Sequence, residues 1–349
     1  MYTWFFPTVL VFLIFFCPQT FSQQVNKHEL STIERYFPIP TRTQLNWQDA
    51  EMVMFLHYGD VAEVWFDGAN GEGPNGKTQK YDWDLYYSTV RRLQPNALIA
   101  ISGPDIRWIG NENGLANETE WCVQPKTSSF QAASENGMVW YPSECDVSIR
   151  PGWFYHSSQD QRIKPVEILT DIYLKSVGMN SNLLLNVPPN KEGLISRFDI
   201  RGLKEWRRNL NKIFARNIFK GAHIDCSNFR NNSKEFLAAN CLDNNRKTFW
   251  TTDKNITSAE LNISLRKKEN INIIWLEEAI EYGQRIKSFE IYSDNNRSME
   301  KIFEGTTIGR SRIITFNKVN TDRIKIVIKD SFASPILRTI KGCYNETGM

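Results

Sequence analysis

The chain lacks most of the signatures that would place it quickly. Its 349 residues include only four histidines and six cysteines, at no spacing that resembles a zinc site, so neither a metal nor another cofactor is expected. There is no G-x-S-x-G elbow and no glycine-rich phosphate loop, which argues against serine-nucleophile and phosphoryl-transfer chemistry. Neither sign of charge dominates: 42 Lys and Arg face 39 Asp and Glu, and the net +3 is interspersed along the chain. A nucleic-acid footprint would need a clustered basic patch, so nucleic acid is not an expected partner. Internal repeats and low-complexity tracts are missing too. The long apolar run at 5–16 is too short to span a bilayer. With "CPQTFSQQ" after it, the run reads as a signal peptide over 1–22 despite the absence of a positive n-region, and an uncleaved anchor is the alternative. The mature protein is then expected outside the cytosol, secreted or lysosomal, with no membrane contact.

Aromatic residues, by contrast, are plentiful at 13%, with eleven tryptophans. They suit either a site that stacks on sugar rings or ordinary cores. Six N-x-S/T sequons, at Asn117, Asn231, Asn255, Asn262, Asn296 and Asn345, give independent support for a secreted glycoprotein. Once the leader is gone five cysteines remain, and in an oxidising compartment Cys122–Cys145 and Cys226–Cys241 are candidate bridges, leaving Cys343 odd.

Two regions differ in pattern. Within 23–218, a polar entry to about residue 50 gives way from 52 onward to alternating strand-like and helix-like segments. "WDLYYSTVRRLQP" has Leu85, Thr89 and Leu93 on one helical face and a proline stop. "ALIAISG" and "SNLLLNVPPN" read as buried strands, while "PVEILTDIYLKSVGMN" and "SRFDIRGLKEWRRNLNKIFA" read as helices. This is the rhythm of βαβ units. From 221 to 349 the helical period disappears and short alternating runs take over, which predicts a β-sandwich.

The stretch "MVMFLHYGDVAEVWFDGANG" poses a topological problem. The apolar run 52–56 ends at His57, and the run 62–66 ends at Asp67. Polar residues at strand C-termini are where parallel barrels keep their chemistry. Parallel neighbours, however, need a crossover of about a dozen residues or more, and here only 58–61 lie between the first polar end and the second run. Further along, "SGPDIRWIGNENGLANETEW" brings Asp105, Arg107, Trp108, Glu112, Glu118 and Glu120 into one loop. "YPSECDVSIRPGWFYH" brings Glu144, Asp146, Arg150, Trp153, Tyr155 and His156 together. Arg with Trp and His makes a sugar site, and equally a buried ion-pair cluster. Two carboxylates from different strand ends, set among Trp, Arg and His, suggest glycoside hydrolysis, in which one attacks or stabilises the oxocarbenium-like centre and the other protonates the leaving oxygen.

Five segments, "MFLHYG", "EVWFDGANGEG", "GPDIRWIGNENG", "ECDVSIRPGWFYH" and "LLLNVPPNKEGLIS", together closely resemble the α-L-fucosidases of glycoside hydrolase family 29, in the branch shared by bacterial and plant-type enzymes. "YGQRIKSFEIYS" resembles the galactose-binding-like sandwich that follows the barrel there. The resemblance implies an α/β plus all-β architecture: an incomplete (β/α)8 TIM-type barrel, then a β-sandwich. It implies retaining hydrolysis of α-L-fucose from fucosylated glycans or glycoproteins, with Asp67 as nucleophile and Glu112 as general acid/base. Glu118 and Glu144 are competitors for the second role. His57, Trp65, Arg150 and Trp153 match residues that bind or surround the sugar. Family members carry two further βα units between the segments that here meet near Gly59 and Asp60. Their loss predicts that the two runs either merge or that the first detaches, leaving exposed edges. A non-catalytic carbohydrate-binding glycoprotein is the alternative function.

Overall fold

The computed structural model describes residues 12–13, 38–54, 61–67, 80–124 and 137–346. In the first domain the strands are β1 (Phe12–Leu13), β2 (Met52–Met54), β3 (Glu63–Phe66), β4 (Leu98–Ile101), β5 (Arg107–Trp108), β6 (Val123–Gln124), β7 (Val139–Trp140), β8 (Ser143–Ser148) and β9 (Asn182–Asn186). Its helices are α1 (Arg42–Asp49), α2 (Trp83–Leu93), α3 (Val166–Lys175) and α4 (Arg197–Phe214). Helix α1 starts at a reciprocal cap: Thr41 Oγ1 accepts from the Gln44 amide, and the Gln44 side chain accepts from the Thr41 amide.

Six of these strands form one parallel arc. β3 pairs with β4, β5 with β8, β8 with β9, and β9 with β2, all parallel. A single parallel bridge, Ala100 to Ile106, joins β4 to β5. The order across the arc is therefore β3-β4-β5-β8-β9-β2, so the two runs that adjoin in sequence lie at its opposite ends. They neither merge nor detach, contrary to expectation, because each already has a parallel partner on its other side. Nor does the chain length force them together, since the eight residues between Met54 and Glu63 have an extended reach of about 26 Å. Among the described residues β2 ends the arc with an expected open edge. The antiparallel β1 meets that of β3, pairing Phe12 with Trp65 and Leu13 with Val64. The rest of the expected leader lies outside the described residues.

The link from β4 to β5 is a second departure. Five residues and no helix separate these parallel strands, which is feasible because only one residue pair bridges. Ile101 turns the chain in the left-handed region at φ 67°, a strained conformation for a β-branched residue.

Side chains alternate across each strand. On β3, Val64 and Phe66 face outward onto Trp83, Tyr86, Tyr87 and Val90 of α2. On β8 and β9, Cys145, Val147, Leu183 and Leu185 join Leu169, Ile172, Trp206 and Leu210 of α3 and α4 in the largest core of this domain. Leu85 and Leu93 of α2 remain 57% and 59% exposed, an apolar face without the cover a neighbouring barrel helix would supply.

The second domain comprises β10 (His223–Cys226), β11 (Trp250–Thr251), β12 (Ala259–Glu278), β13 (Ile286–Asp294), β14 (Met299–Gly305), β15 (Arg312–Ser331) and β16 (Ile336–Cys343). They pair antiparallel in the order β11-β16-β12-β15-β13-β14, with β10 on β12. The long strands β12 and β15 bend at register shifts, so their two ends serve different faces. One end encloses an isoleucine-rich core, while Ile273, Trp275, Ile313 and Cys343 pack into the α3–α4 core of the first domain. Polar ties reinforce the junction. Arg310, buried, bonds Asp49 and Glu277 and lies near Glu51, while Asn180 accepts from the Arg310 amide and donates to the Glu120 carbonyl.

The five cysteines from Cys122 onward are free thiols, so the expected bridges do not form. Cys122 accepts from Gln48 and Asn180 at the domain junction, whereas Cys145 faces outward from β8 and meets Ser181. Cys241 donates to the Leu337 carbonyl instead of meeting Cys226.

Candidate active site

Because the arc is parallel, its C-terminal strand ends form one rim, and the inward-facing residues stack in layers beneath it. At the bottom, Trp47 of α1 donates from Nε1 to Glu63 Oε2 at 2.7 Å. In the middle, Trp65 Nε1 donates to Glu144 Oε1 at 3.0 Å. Higher up, Trp108 Nε1 donates to Asp146 Oδ1 at 2.6 Å, and Asn186 donates to Ser148 Oγ and to the Trp153 carbonyl. At the rim stand Asp67, directly after β3, and Glu112, in the loop after β5, both exposed. Trp153 Nε1 donates to Glu112 Oε2 at 3.1 Å, fixing one oxygen of that carboxylate.

The interior carboxyls are electrostatically linked. Burial pushes Asp146 up to about 6 against the Trp108 hydrogen bond, and the charges of Glu112 and Asp67 add to the rise. Both rim carboxylates therefore act on the same buried acid, from two different strand ends. Burial also raises Glu63, to about 7, and burial together with the charges of Glu63 and Asp146 holds Glu144 well above the usual carboxylate range.

The residues singled out from sequence fall in different places. Glu112 and Trp153 meet at the rim, and Asp67 stands at the end of β3. Trp65 is half-buried beneath it, its indole engaged by Glu144. Arg150, expected as a structural or binding arginine near the site, turns its guanidinium into an ion-pair cluster. Its side chain is fully buried, Nε bonding both oxygens of Asp199 at 3.0 Å and Nη2 bonding Asp160 at 2.9 Å. Two residues past the end of β8, Arg150 is neutralised there by two aspartates. Of the competing acids, Glu144 is sealed in the interior. Glu118 lies toward the sandwich, its carbonyl accepting from Arg312. His57 lies outside the described residues. Sequence reasoning missed Glu63, whose signal was an acid in the inward phase of an otherwise apolar strand.

Comparison with known proteins agrees with this layout. The α-L-fucosidase family model matches residues 19–212, and the F5/8 type C domain model matches 223–339. Alpha-L-fucosidase 1 of Arabidopsis thaliana is 38% identical over 298 residues, covering 81% of this chain and 58% of the relative. A structure described as SpGH29 superposes with a TM-score of 0.75 at 32% identity, covering 82% of this chain and 64% of that one. A Ruminococcus gnavus GH29 fucosidase, solved in complex with fucose, gives 0.74 at 30% identity, with 81% and 60% covered. The chain thus spans about six-tenths of the length of these relatives.

Proposed function

The chain belongs to the α-L-fucosidase family, and on that premise we propose that its rim hydrolyses terminal α-L-fucosides of fucosylated glycans with retention of configuration. The observation that carries this reading is that two exposed carboxyls, Asp67 and Glu112, follow the C-terminal ends of separate parallel strands, with Trp153 Nε1 bonding Glu112. Asp67, ionised, attacks the anomeric carbon and forms a covalent fucosyl ester as Glu112 gives its proton to the departing oxygen. Glu112 then takes a proton from the water that attacks the ester, and the enzyme is restored. Retaining chemistry wants these carboxyls roughly 5–5.5 Å apart. Trp153 orients Glu112 while leaving its other oxygen for the proton, and the indoles of Trp108 and Trp153 supply flat apolar walls for the sugar. His57 is assigned to the fucose hydroxyls by family resemblance alone. The open arc is read as the loss of two βα units near Gly59 and Asp60.

The test is fucose release from a chromogenic α-L-fucoside by the purified chain and its variants. D67A should reduce turnover to background, and E112A should cost at least about a hundredfold. A folded native chain no faster than D67A would sink the reading and favour the binding-glycoprotein alternative. Secretion after cleavage near Ser22 belongs to the same proposal. So does glycosylation at the exposed Asn117, Asn231, Asn255, Asn262 and Asn296, whereas Asn345 is buried.

A further inference from the structure

The strand that carries Asp67 sits at the broken end of the arc. β3 has a parallel partner on one side only, β4, and on the other the two pairs made by β1. An edge strand this short, with four residues, needs some other restraint to hold a side chain at its tip within the tolerance catalysis demands.

The restraint lies inside the arc. Glu63 and Glu144 come from strands that are not neighbours, yet both are fully buried in the lumen, and the Trp65 indole, two residues along the strand from Glu63, reaches the Glu144 carboxyl. Each acid thus acts on the other. Each has one oxygen bonded by an indole, Glu63 by Trp47 and Glu144 by Trp65. The remaining oxygens, Glu63 Oε1 and Glu144 Oε2, are buried and receive no hydrogen bond from any protein donor. Two acceptors facing each other in a low-dielectric interior are repulsive unless one carries a hydrogen.

The other described groups packed around the pair offer no compensating cation. β8 contributes Asp146, which adds negative charge, and Asp105 beyond β4 adds more. Asp105 is itself bound by Arg91 and the Ile99 amide. Arg107 of β5 faces away from the lumen, toward Glu120 and the Trp121 carbonyl. Cys145 of β8 points outward, and the inward residues of β4 and β9 here are Ala100 and Leu184.

We propose that Glu63 and Glu144 share a single proton in a carboxyl–carboxylate hydrogen bond that ties the edge strand β3 to β8 across the lumen. Both are positioning residues: Glu144 holds the Trp65 indole two residues before Asp67, and Glu63 holds the base of the same strand against α1. The tie is independent of the hydrolase reading, and only its consequence for Asp67 rests on that reading. Because the folded pair retains a proton that an unfolded glutamate releases near pH 4.5, its contribution to stability is full below that value. It is lost progressively as pH rises above that value, because burial and mutual repulsion hold the titration of the folded pair higher.

The test uses the full chain and the isosteric amides Glu63→Gln and Glu144→Gln, each of which supplies an N–H where the shared proton was. Native-minus-variant infrared difference spectra at pH 6.5 should show the loss of one buried protonated carboxyl in either variant, over and above those of Asp146 and Glu278, which burial also raises. The thermal midpoint of the native chain should fall between pH 5 and 7.5, while that of the variants stays flatter. If Glu63→Gln does not fold, Glu144→Gln carries the same comparison, and the double amide provides a third. An unchanged carboxyl band in a folded variant, or parallel pH profiles, would overturn the tie. Fucose release is scored separately. A native chain with the band but no activity refutes the hydrolase reading and leaves the tie, whereas an active chain without the band does the reverse.

Discussion

Replacing Arg150 separates a sugar ligand from a buried strut. In Arg150→Met the guanidinium leaves, and Asp199, whose side chain is 0% exposed, loses both of its 3.0 Å bonds from Nε. Asp160, 20% exposed, loses its 2.9 Å partner, and the Tyr155 ring loses the cation 4.7 Å above it. Breaking one side of a fully buried pair costs about 3–5 kcal/mol, because the remaining charge is stranded. Asp160 is open enough to rehydrate and adds little. For a chain of this size, at about 2–4 °C per kcal/mol, the thermal midpoint should drop by roughly 6–20 °C. The double variant Arg150→Met with Asp199→Leu removes both charges and should recover much of that loss. The assay is a pair of melts alongside KM for a chromogenic fucoside at a temperature where the variant remains folded. A stable Arg150→Met whose KM alone rises tenfold or more would refute the assignment of Arg150 to a buried ion-pair cluster.

Two other outcomes follow from the same coordinates. Asp146 is raised to about 6, so its carboxyl gives up stability as pH climbs from about 4 to about 6, and none is lost beyond that. Asp146→Asn should therefore be more stable than the native chain at pH 7.5, by at most about 3 kcal/mol, and should flatten denaturant midpoints measured between pH 4 and 7.5; equal slopes would contradict the assignment. Cys122, Cys145, Cys226, Cys241 and Cys343 are thiols. Mass spectrometry after alkylation in denaturant without reductant should label all five, and a Cys122–Cys145 or Cys226–Cys241 peptide would show the expected bridges after all.

Much of the architecture was legible because apolar periodicity and strand ends are local. The run 62–66 announced both a strand and the exposed Asp67 at its tip, and "GPDIRWIGNENG" announced the loop that carries Glu112. The fate of the gap was less legible. Whether two runs pair depends on what each finds on its other side, and β9 and β4, the partners that settled it, come much later in the chain. Arg150 was ambiguous because arginine among aromatics reads the same way in a sugar site and in an ion-pair cluster. Only Asp199, almost fifty residues away, distinguishes them. Cys122 and Cys145 are near in sequence, but one faces the domain junction and the other the α3 side of β8. Glu63 escaped notice because attention to the end of a strand passes over an acid at its start, where only the lumen reveals a partner.

The most direct measurement of the central claim, that the open arc still presents Asp67 as a nucleophile, is covalent trapping. The purified chain would be incubated with a fluorinated fucosyl fluoride, whose second step is slow, and its peptides analysed by mass spectrometry. The account predicts that the peptide containing Asp67 gains one fluorofucosyl group, and that D67A gains none. A folded native chain that stays unlabelled, or that is labelled on another residue, would contradict it.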